Sequence, residues 1–418
     1  MISYERKILS NGLTVLFNRD ANTPMAAVNI IYKVGSRNES SERTGFAHLF
    51  EHLMFGGSKH VPRFDVPLQE ASGENNAFTT PDYTNYYEVL PKENIETALW
   101  EESDRMRDLT ISETTLDVQR KVVIEEFKQR YLNQPYGDLM ALLKDLAYKE
   151  HPYRWLTIGK KISHIENATV ADVKSFYDTF YQPDNAIIAI SGDFEPEEAF
   201  LLIEKWFGGI SGTGLPIPPV RQENEQKEAR RLEVDRDVPM SAIYIAYKMP
   251  ARKDDEFVVC DLISDILSNG NSSRFYQKLV KERPLFNQVN AYVTGDMDPG
   301  LFIVSGYLNP GVTLEEAENA LLDEINDFCG SRIEGDELQK VKNKFEANTI
   351  FGELNVSNKA MNLCFYEMLG DIGLINEELE KYTSITTEMI SATAKKIFAP
   401  ERSSTLIYKA KGGEDNDR

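Results

Sequence analysis

The order of apolar and polar positions predicts strands and helices along the whole chain. The Asn-Gly dipeptide at residues 11–12 lies between two apolar runs, which predicts a β-hairpin across residues 5–19. Further strands are predicted over residues 25–34 and 186–193, and residues 73–90 are typical of two strands joined at a Pro-Asp turn. Helical periodicity predicts helices over residues 92–109, 112–132, 136–149, 169–180 and 196–207.

Glycine and proline crowd residues 208–222, which is the composition of a linker. The segments on its two sides resemble each other. Residues 24–34 match residues 239–249 at an offset of 215, and residues 180–184 match residues 397–401 at an offset of 217. Two matches at nearly one offset indicate duplication of a domain, although chance similarity between short segments is the alternative. The predicted boundaries are a first domain at 1–210, a linker at 211–229, a second domain at 230–411 and a disordered tail at 412–418.

Composition narrows the classes of function. Hydrophobic residues make up 41% and charged residues 27% of the 418 residues, and the formal net charge is −21. Such a charge repels phosphate backbones and anionic lipids, so we expect neither nucleic-acid nor membrane binding. It favours neutral or basic peptides as partners, or it serves solubility alone. The N-terminus lacks the pattern of a signal peptide, so a cytoplasmic location is expected, or a periplasmic one if a leader has been removed. Three scattered cysteines predict no disulfide framework.

The strongest chemical signal is His48-Leu49-Phe50-Glu51-His52. On a helix, residues four apart share one face, so both imidazoles can hold one metal ion. Glu51 lies beside the same site and can accept a proton from water. The order His-x-x-Glu-His is the inverzincin signature. The alternative is a pair of surface histidines on an amphipathic helix.

A catalytic zinc site needs a third protein ligand, and the sequence offers several candidates. Glu126 shares a predicted helix face with Val122, Val123 and Phe127, and a carboxylate on an apolar face requires a partner such as a metal. An ordinary surface glutamate is the alternative. The remaining histidines, His60, His151 and His164, are less favoured by their surroundings.

Taken together, these motifs resemble the pitrilysin-like metallopeptidase family, particularly its two-domain branch akin to mitochondrial processing peptidase. The resemblance rests on His48-x-x-Glu51-His52, on Glu126 in a Val-Val-x-Glu-Glu context, and on Asn76-Ala77-Phe78-Thr79. The segments Pro135-Tyr136-Gly137 and His151-Pro152-Tyr153 also contribute. The resemblance implies an α+β fold of two homologous domains, each an antiparallel sheet with helices packed on one face, which together enclose a cavity.

The resemblance also implies a zinc endopeptidase. Its ligands would be His48, His52 and Glu126, and Glu51 would be the general base and acid. Residues 76–79 (Asn76, Ala77, Phe78 and Thr79) would form an edge strand that pairs with an extended peptide. Gln119 replaces a glutamate that often supports the site, and we expect it to tune the ligands by hydrogen bonding.

Two features of the second half bear on partners. At an offset of 214, His48, Glu51 and His52 correspond to Leu262, Asp265 and Ile266, so the second copy cannot bind the metal. Active members of the family usually supply an Arg and a Tyr from a second domain, yet Val280 and Asn287 occupy those positions here. The resemblance therefore implies a heterodimer with a homologous inactive subunit that carries the Arg/Tyr pair. The alternatives are a homodimeric peptidase and a non-proteolytic assembly subunit.

Overall fold

The computed structural model describes residues 1–411, so the predicted disordered tail at 412–418 lies outside the described residues. The strands are β1 Glu5–Ile8, β2 Thr14–Arg19, β3 Met25–Tyr32, β4 Glu74–Thr79, β5 Thr84–Pro91, β6 Ala186–Gly192, β7 Arg230–Arg236, β8 Ala242–Lys248, β9 Phe286–Val293, β10 Leu301–Leu308 and β11 Ser403–Ala410. The helices are α1 Phe46–Leu53, α2 Asp65–Glu70, α3 Ile95–Asp108, α4 Glu113–Phe127, α5 Leu139–Ala147, α6 Ile162–Glu166, α7 Val170–Phe180, α8 Pro196–Phe207, α9 Glu256–Ser268, α10 Leu314–Gly330, α11 Gly335–Gly352, α12 Val356–Leu369, α13 Leu374–Ser384 and α14 Thr387–Ile397.

The first compact unit contains a six-stranded sheet in the order β1-β2-β6-β3-β5-β4. The predicted hairpin is confirmed as β1 and β2, with Gly12 in the turn at φ +89°. Glycine is required there, because a Cβ atom would lie 2.7 Å from the Cβ of Asp184. The predicted two-stranded segment at 73–90 is confirmed as β4 and β5, which pair in antiparallel fashion.

The second compact unit repeats the order of this sheet. Its five strands run β7-β11-β8-β10-β9, which matches β2-β6-β3-β5-β4 strand for strand. The register repeats as well. Ala27 pairs with Ser191 in the first sheet, and Ala242 pairs with Tyr408 in the second. Ala242 lies 215 residues after Ala27, and Tyr408 lies 217 residues after Ser191. These pairings use the two offsets found in the sequence, so the internal repeat is confirmed at the level of strand topology.

Each sheet is mixed rather than purely antiparallel. The pair β2 and β6 is parallel, and so is its counterpart, β7 and β11. The two-domain sheet-and-helix class is therefore confirmed, with one parallel pair added to each sheet. A parallel pair requires a long crossover connection, and each pair here is separated by most of its repeat.

Both faces of each sheet are covered, which differs from the expectation of helices on one face. In the first unit, Leu16, Ala27 and Ile187 pack against Leu363 and Cys364 of α12. On the opposite face, α3 packs against β3 and α8 against β2. In the second unit, α5 covers one face, and α9, α10 and α14 contribute to the core on the other face.

The two units exchange one helix each. The first unit consists of residues 1–128, 155–221 and 349–377, and so includes α12. The second consists of residues 129–154, 222–348 and the chain from Glu378 onward, and so includes α5. These compact units differ from the contiguous domains 1–210 and 230–411, because a helix from each half of the chain packs on the sheet built by the other half. Within the described chain, residues 211–229 contain no helix or strand.

Among residues 1–411, no helix is both long enough and apolar enough to cross a membrane.

Leu363→Ala tests whether α12 packs on the sheet of the first unit. Leu363 is fully buried against the first sheet, so its truncation should lower the free energy of unfolding by about 2–5 kcal/mol. Hydrogen exchange should accelerate in β3 and β6 and stay unchanged in β8. The control is Leu354→Ala, since Leu354 is 74% exposed. Faster exchange in β8 instead would place α12 on the other sheet.

Candidate metal centre

The helix α1 carries the motif and is held by its apolar face. Phe46, Ala47, Leu49, Phe50 and Leu53 are buried, while His48, Glu51 and His52 lie on the other side. The ring of Phe50 stacks on Phe176 and Tyr181, at centroid distances of 5.1 and 4.9 Å. Such ring pairs add about 0.5–1.5 kcal/mol beyond the burial of their area. The packing of α1 therefore fixes the direction in which the motif faces.

The start of α1 is fixed by contacts that the sequence did not reveal. Gly45 precedes the helix at φ +90°, and a Cβ atom on it would lie 2.5 Å from the carbonyl oxygen of Ile158. The buried carboxylate of Glu39 accepts hydrogen bonds from the N–H groups of Gly45 (2.9 Å) and Ala47 (2.8 Å). Burial raises the pKa of Glu39 to about 8, and these N–H groups act in the opposite direction. Glu39 thus satisfies N–H groups at the end of α1 that have no partner inside the helix.

Glu126 completes a cluster with the two histidines. It is the penultimate residue of α4, which packs against α1. Its Oε2 atom lies 3.6 Å from Nε2 of His48 and 3.3 Å from Nε2 of His52. One potential ligand atom from each residue lies within 4.8 Å of the other two. Among residues 1–411, this is the one group of three or more His, Cys, Asp or Glu side chains with such geometry.

These distances fit a shared metal ion better than hydrogen bonds. An N–H···O hydrogen bond spans about 2.7–3.2 Å, and both His–Glu distances exceed that range. Two ligands of a tetrahedral zinc ion, with bonds of about 2.0–2.1 Å, lie about 3.4 Å apart. Two imidazole nitrogens and one carboxylate oxygen are also a known donor set of catalytic zinc. The residues present therefore fit a zinc ion that keeps one coordination position for water.

The other histidines are engaged elsewhere. Nδ1 of His60 lies 2.7 Å from Oδ1 of Asp104, and Nε2 of His151 lies 3.1 Å from Oδ2 of Asp298. Nδ1 of His164 accepts a hydrogen bond from the N–H group of Thr44, just before α1. None of the three reaches the cluster of His48, His52 and Glu126.

Glu51 lies on α1 beside this cluster and is tied to the edge strand. The hydroxyl of Thr79 donates a hydrogen bond to Oε2 of Glu51, at 2.5 Å. Thr79 is the last residue of β4, so the structure brings together two elements that the sequence predicted separately. The bond holds the carboxylate at the end of the strand predicted to bind peptide.

Two buried tyrosines lie in the electrostatic field of Glu51. Burial raises the pKa of both Tyr86 and Tyr181, and the negative charge of Glu51 acts in the same direction. Both phenols therefore keep their protons at neutral pH. Neither phenol can therefore act as a base at neutral pH.

The predicted substrate strand lies at the end of its sheet. In the described chain, β4 pairs with β5 and has no strand on its other side. The N–H group of Ala77 donates to the side chain of Asn76 at 2.8 Å, and Phe78 is 37% exposed. The position of Asn76, Ala77, Phe78 and Thr79 on an edge strand is as expected, while their contact with a peptide stays a prediction.

Several predicted details of α4 and the second half can now be placed. Val122 does not share a buried face with Val123, because Val122 is 45% exposed and Val123 is fully buried. Gln119 lies two turns before Glu126, and its supporting role stays a prediction. Arg274, in the second half, donates hydrogen bonds to both carboxylate oxygens of Glu337.

Comparisons with known proteins support the predicted fold and family. A family model described as "Insulinase (Peptidase family M16)" matches residues 14–156, and one described as "Peptidase M16 inactive domain" matches residues 167–345. The zinc protease PqqE of Helicobacter pylori (strain ATCC 700392 / 26695) is 30% identical over 413 residues, which cover 97% of this chain and 93% of that protein. The chain belongs to the peptidase M16 family.

Further M16 relatives agree with this assignment. The uncharacterized zinc protease YmxG of Bacillus subtilis (strain 168) is 22% identical over 96% of this chain and 98% of its own length. The crystal structure of a protease from Helicobacter pylori has a TM-score of 0.93 at 29% identity and covers 98% of this chain and 99% of that chain. A peptidase M16 inactive domain from Pseudomonas fluorescens has a TM-score of 0.87 at 17% identity, covers 98% of both chains, and shows the fold alone. The second family model begins at residue 167, within the first repeat, so the limits of the two models differ from those of the repeats.

The ligand assignment can be tested on neighbouring residues. Glu126→Ala should weaken zinc binding by more than about 100-fold, because it removes one of three ligands, and even supporting residues cost 10–100-fold. Glu125→Ala is the matched control, since Glu125 is 61% exposed and pairs with Lys128. Zinc titration of the metal-free protein, with metal analysis after dialysis, measures both. Equal zinc affinity in the two variants would remove Glu126 from the site.

Proposed function

We propose that this M16 chain is a zinc-dependent endopeptidase that hydrolyses peptides bound in extended form. The observation that carries the proposal is the convergence of His48, His52 and Glu126, with the carboxylate of Glu51 beside them. The names of the M16 relatives, zinc proteases, support the same reaction class.

The residues divide the reaction between them. His48, His52 and Glu126 would hold the zinc ion through two nitrogens and one oxygen. Zinc in such a site supplies Lewis acidity toward a peptide carbonyl and acidifies a water molecule. Glu51 takes a proton from the attacking water and delivers it to the leaving amine. The side chains of His48 and His52 are 12% and 25% exposed, so water and substrate can approach the cluster from one side.

The edge strand β4 supplies the binding mode. A peptide that adds to β4 as a further strand forms main-chain hydrogen bonds irrespective of its sequence. Because Thr79 ends this strand and donates to Glu51, a peptide in register with β4 runs toward the general base. Side-chain preference would then come from neighbours such as Phe78, which is partly exposed.

A non-proteolytic assembly subunit is the rival from another class. Glu51 argues against it, because a purely structural zinc site has no use for a carboxylate base beside its ligands. The hydrogen bond from Thr79 to Glu51 supports the same conclusion, since it orients that carboxylate.

Glu51→Gln distinguishes a zinc endopeptidase from a non-proteolytic assembly subunit. The amide keeps the shape of the side chain and cannot accept a proton, so peptide hydrolysis should fall by about 10²–10⁴-fold or more. Zinc content should remain at one ion per chain, because Glu51 is not a ligand. The assay is cleavage of a fluorogenic peptide library, with metal analysis of the same samples. Chelator-treated wild-type protein, restored by added zinc, is the control, and a Glu51→Gln variant with full activity would contradict the assigned role.

We further propose that full activity requires a homologous partner subunit that carries the Arg/Tyr pair; a homodimer is the alternative. The positions that align with the pair are Val280, in the π-helical segment Tyr276–Glu282, and Asn287 on β9. Neither side chain can replace a guanidinium or a phenol. Arg274 cannot substitute, because Glu337 already binds it.

The partner proposal predicts low activity of the isolated chain. Purified protein should cleave peptides slowly, and a fraction copurified from the native source should contain a second M16 chain and show at least about tenfold higher kcat/KM, as expected when a transition-state contact is restored. Size measurement and mass spectrometry identify the components. Full turnover by the isolated chain would refute the need for a partner.

A further inference from the structure

The second unit contains a cavity whose most buried charged group has no assigned role. Its volume is about 710 Å³, within the range of small-molecule sites. It is lined by His151, Gln222, Glu223, Asn224, Glu225, Gln226, Lys248, Met249, Pro299, Lys396, Ala399, Glu401 and Arg402. All these residues belong to the second unit, so the cavity is separate from the zinc cluster of the first unit.

Lys248 is the unusual member of this lining. It is the last residue of β8, and only 9% of it is exposed. Its Nζ atom has no hydrogen-bond partner among the described residues and lies 3.2 Å from the centre of the Tyr148 ring. An unpaired ammonium is costly to bury, and an aromatic face compensates only part of that cost. Burial accordingly lowers the pKa of Lys248 to about 7, with Glu223 opposing the shift and Arg230 adding to it.

Three charged groups near Lys248 already bind other partners. The carboxylate of Glu223 accepts hydrogen bonds from three consecutive backbone N–H groups, those of residues 149, 150 and 151, at 2.8–3.0 Å. Lys396 is bound to both carboxylate oxygens of Glu256 at 2.6 and 2.8 Å. The guanidinium of Arg230 donates to the carbonyl oxygens of Leu146 and Ala147. Glu223 attracts the ammonium of Lys248 without a hydrogen bond to it, so Nζ keeps no direct partner among the described side chains.

The remaining walls indicate what kind of molecule would do so. Met249, Pro299 and Ala399 offer apolar surface next to the amine. An acid group that pairs with Lys248 gains a charge-assisted hydrogen bond in a site with little water, and an apolar body fills the space beside it. A fully polar anion such as phosphate would leave that surface uncovered.

We propose that this cavity binds a small organic acid, with its carboxylate on Lys248 and its apolar body against Met249, Pro299 and Ala399. The site is independent of peptide hydrolysis. Its chemistry fits a regulatory or carried monoacid better than a peptide strand, because the lining has one buried ammonium without a hydrogen-bond partner and no free strand edge.

Calorimetry on the full chain tests this assignment with three probes: benzoate, its neutral counterpart benzamide, and inorganic phosphate. Benzoate should bind at one site. Benzamide should bind at least about 30-fold more weakly, since it cannot pair with a buried charge. Phosphate should also bind more weakly than benzoate, and phosphate binding that equals or exceeds it would overturn the role of the apolar walls.

Lys248→Met is the decisive variant, because methionine keeps an apolar stem and removes the charge. Benzoate affinity should fall at least about 30-fold, whereas Lys278→Met, which alters an exposed lysine paired with Glu282 outside the cavity lining, should leave it nearly unchanged. Thermal unfolding of Lys248→Met should match or exceed that of the wild type, because an unpaired buried charge is lost. Unchanged benzoate affinity in Lys248→Met would overturn the proposal.

A second measurement needs no variant. Trace acetylation of the wild-type protein, followed by mass spectrometry, reports the reactivity of each lysine. Benzoate should slow acetylation of Lys248 and leave that of Lys278, outside the cavity lining, unchanged. Equal rates at Lys248 with and without benzoate would also refute the site.

Discussion

The chemistry of this chain depends on the approach of one carboxylate oxygen to two imidazole nitrogens. Oε2 of Glu126 comes from α4, and both histidines come from α1, 74 and 78 residues earlier in the chain. Neither helix defines the site alone, so the site exists only if the two helices are packed in one relative position. Phe50, stacked on Phe176 and Tyr181, fixes α1, while Gly45 and Glu39 fix where that helix begins. The buried aromatic residues thus fix the helix that carries both histidines.

Much of this arrangement could be predicted from the sequence. The spacing of His48, Glu51 and His52 places three chemical groups on one helix irrespective of tertiary structure, and resemblance to a family identified Glu126. The hairpin, the strand pair at 73–90 and the repeat were visible because turn residues and apolar alternation are local signals. The hydrogen bond from Thr79 to Glu51 was not visible, because it joins residues whose proximity only the packed sheet and helix determine. The same reason hid Glu39, which looks like an ordinary loop residue in the sequence.

The compact units depart from contiguous halves of the chain for a related physical reason. The pattern of α12 shows which of its sides is apolar, and it does not show which sheet that side will cover. Both sheets present similar apolar strands because they arose from one pattern, so the sequence allows either pairing. The repeat also shows that equivalent helix positions can carry apolar core residues or potential metal ligands. In α9, Leu262 and Ile266 occupy the positions of the two histidines and are buried, so the same helix positions serve packing in one copy and chemistry in the other.

The exchanged helices have a consequence for synthesis on the ribosome. One face of the first sheet, including Leu16, Ala27 and Ile187, is covered by a helix that begins only at Val356. The last strand of that sheet, β6, ends at Gly192. A nascent chain must therefore add more than 150 further residues before α12 can cover this apolar face. Domains usually fold in order as they emerge, and exposed apolar surface on a partly made chain promotes aggregation. The first unit therefore cannot be completed until α12 has been made, although all six of its strands are made long before.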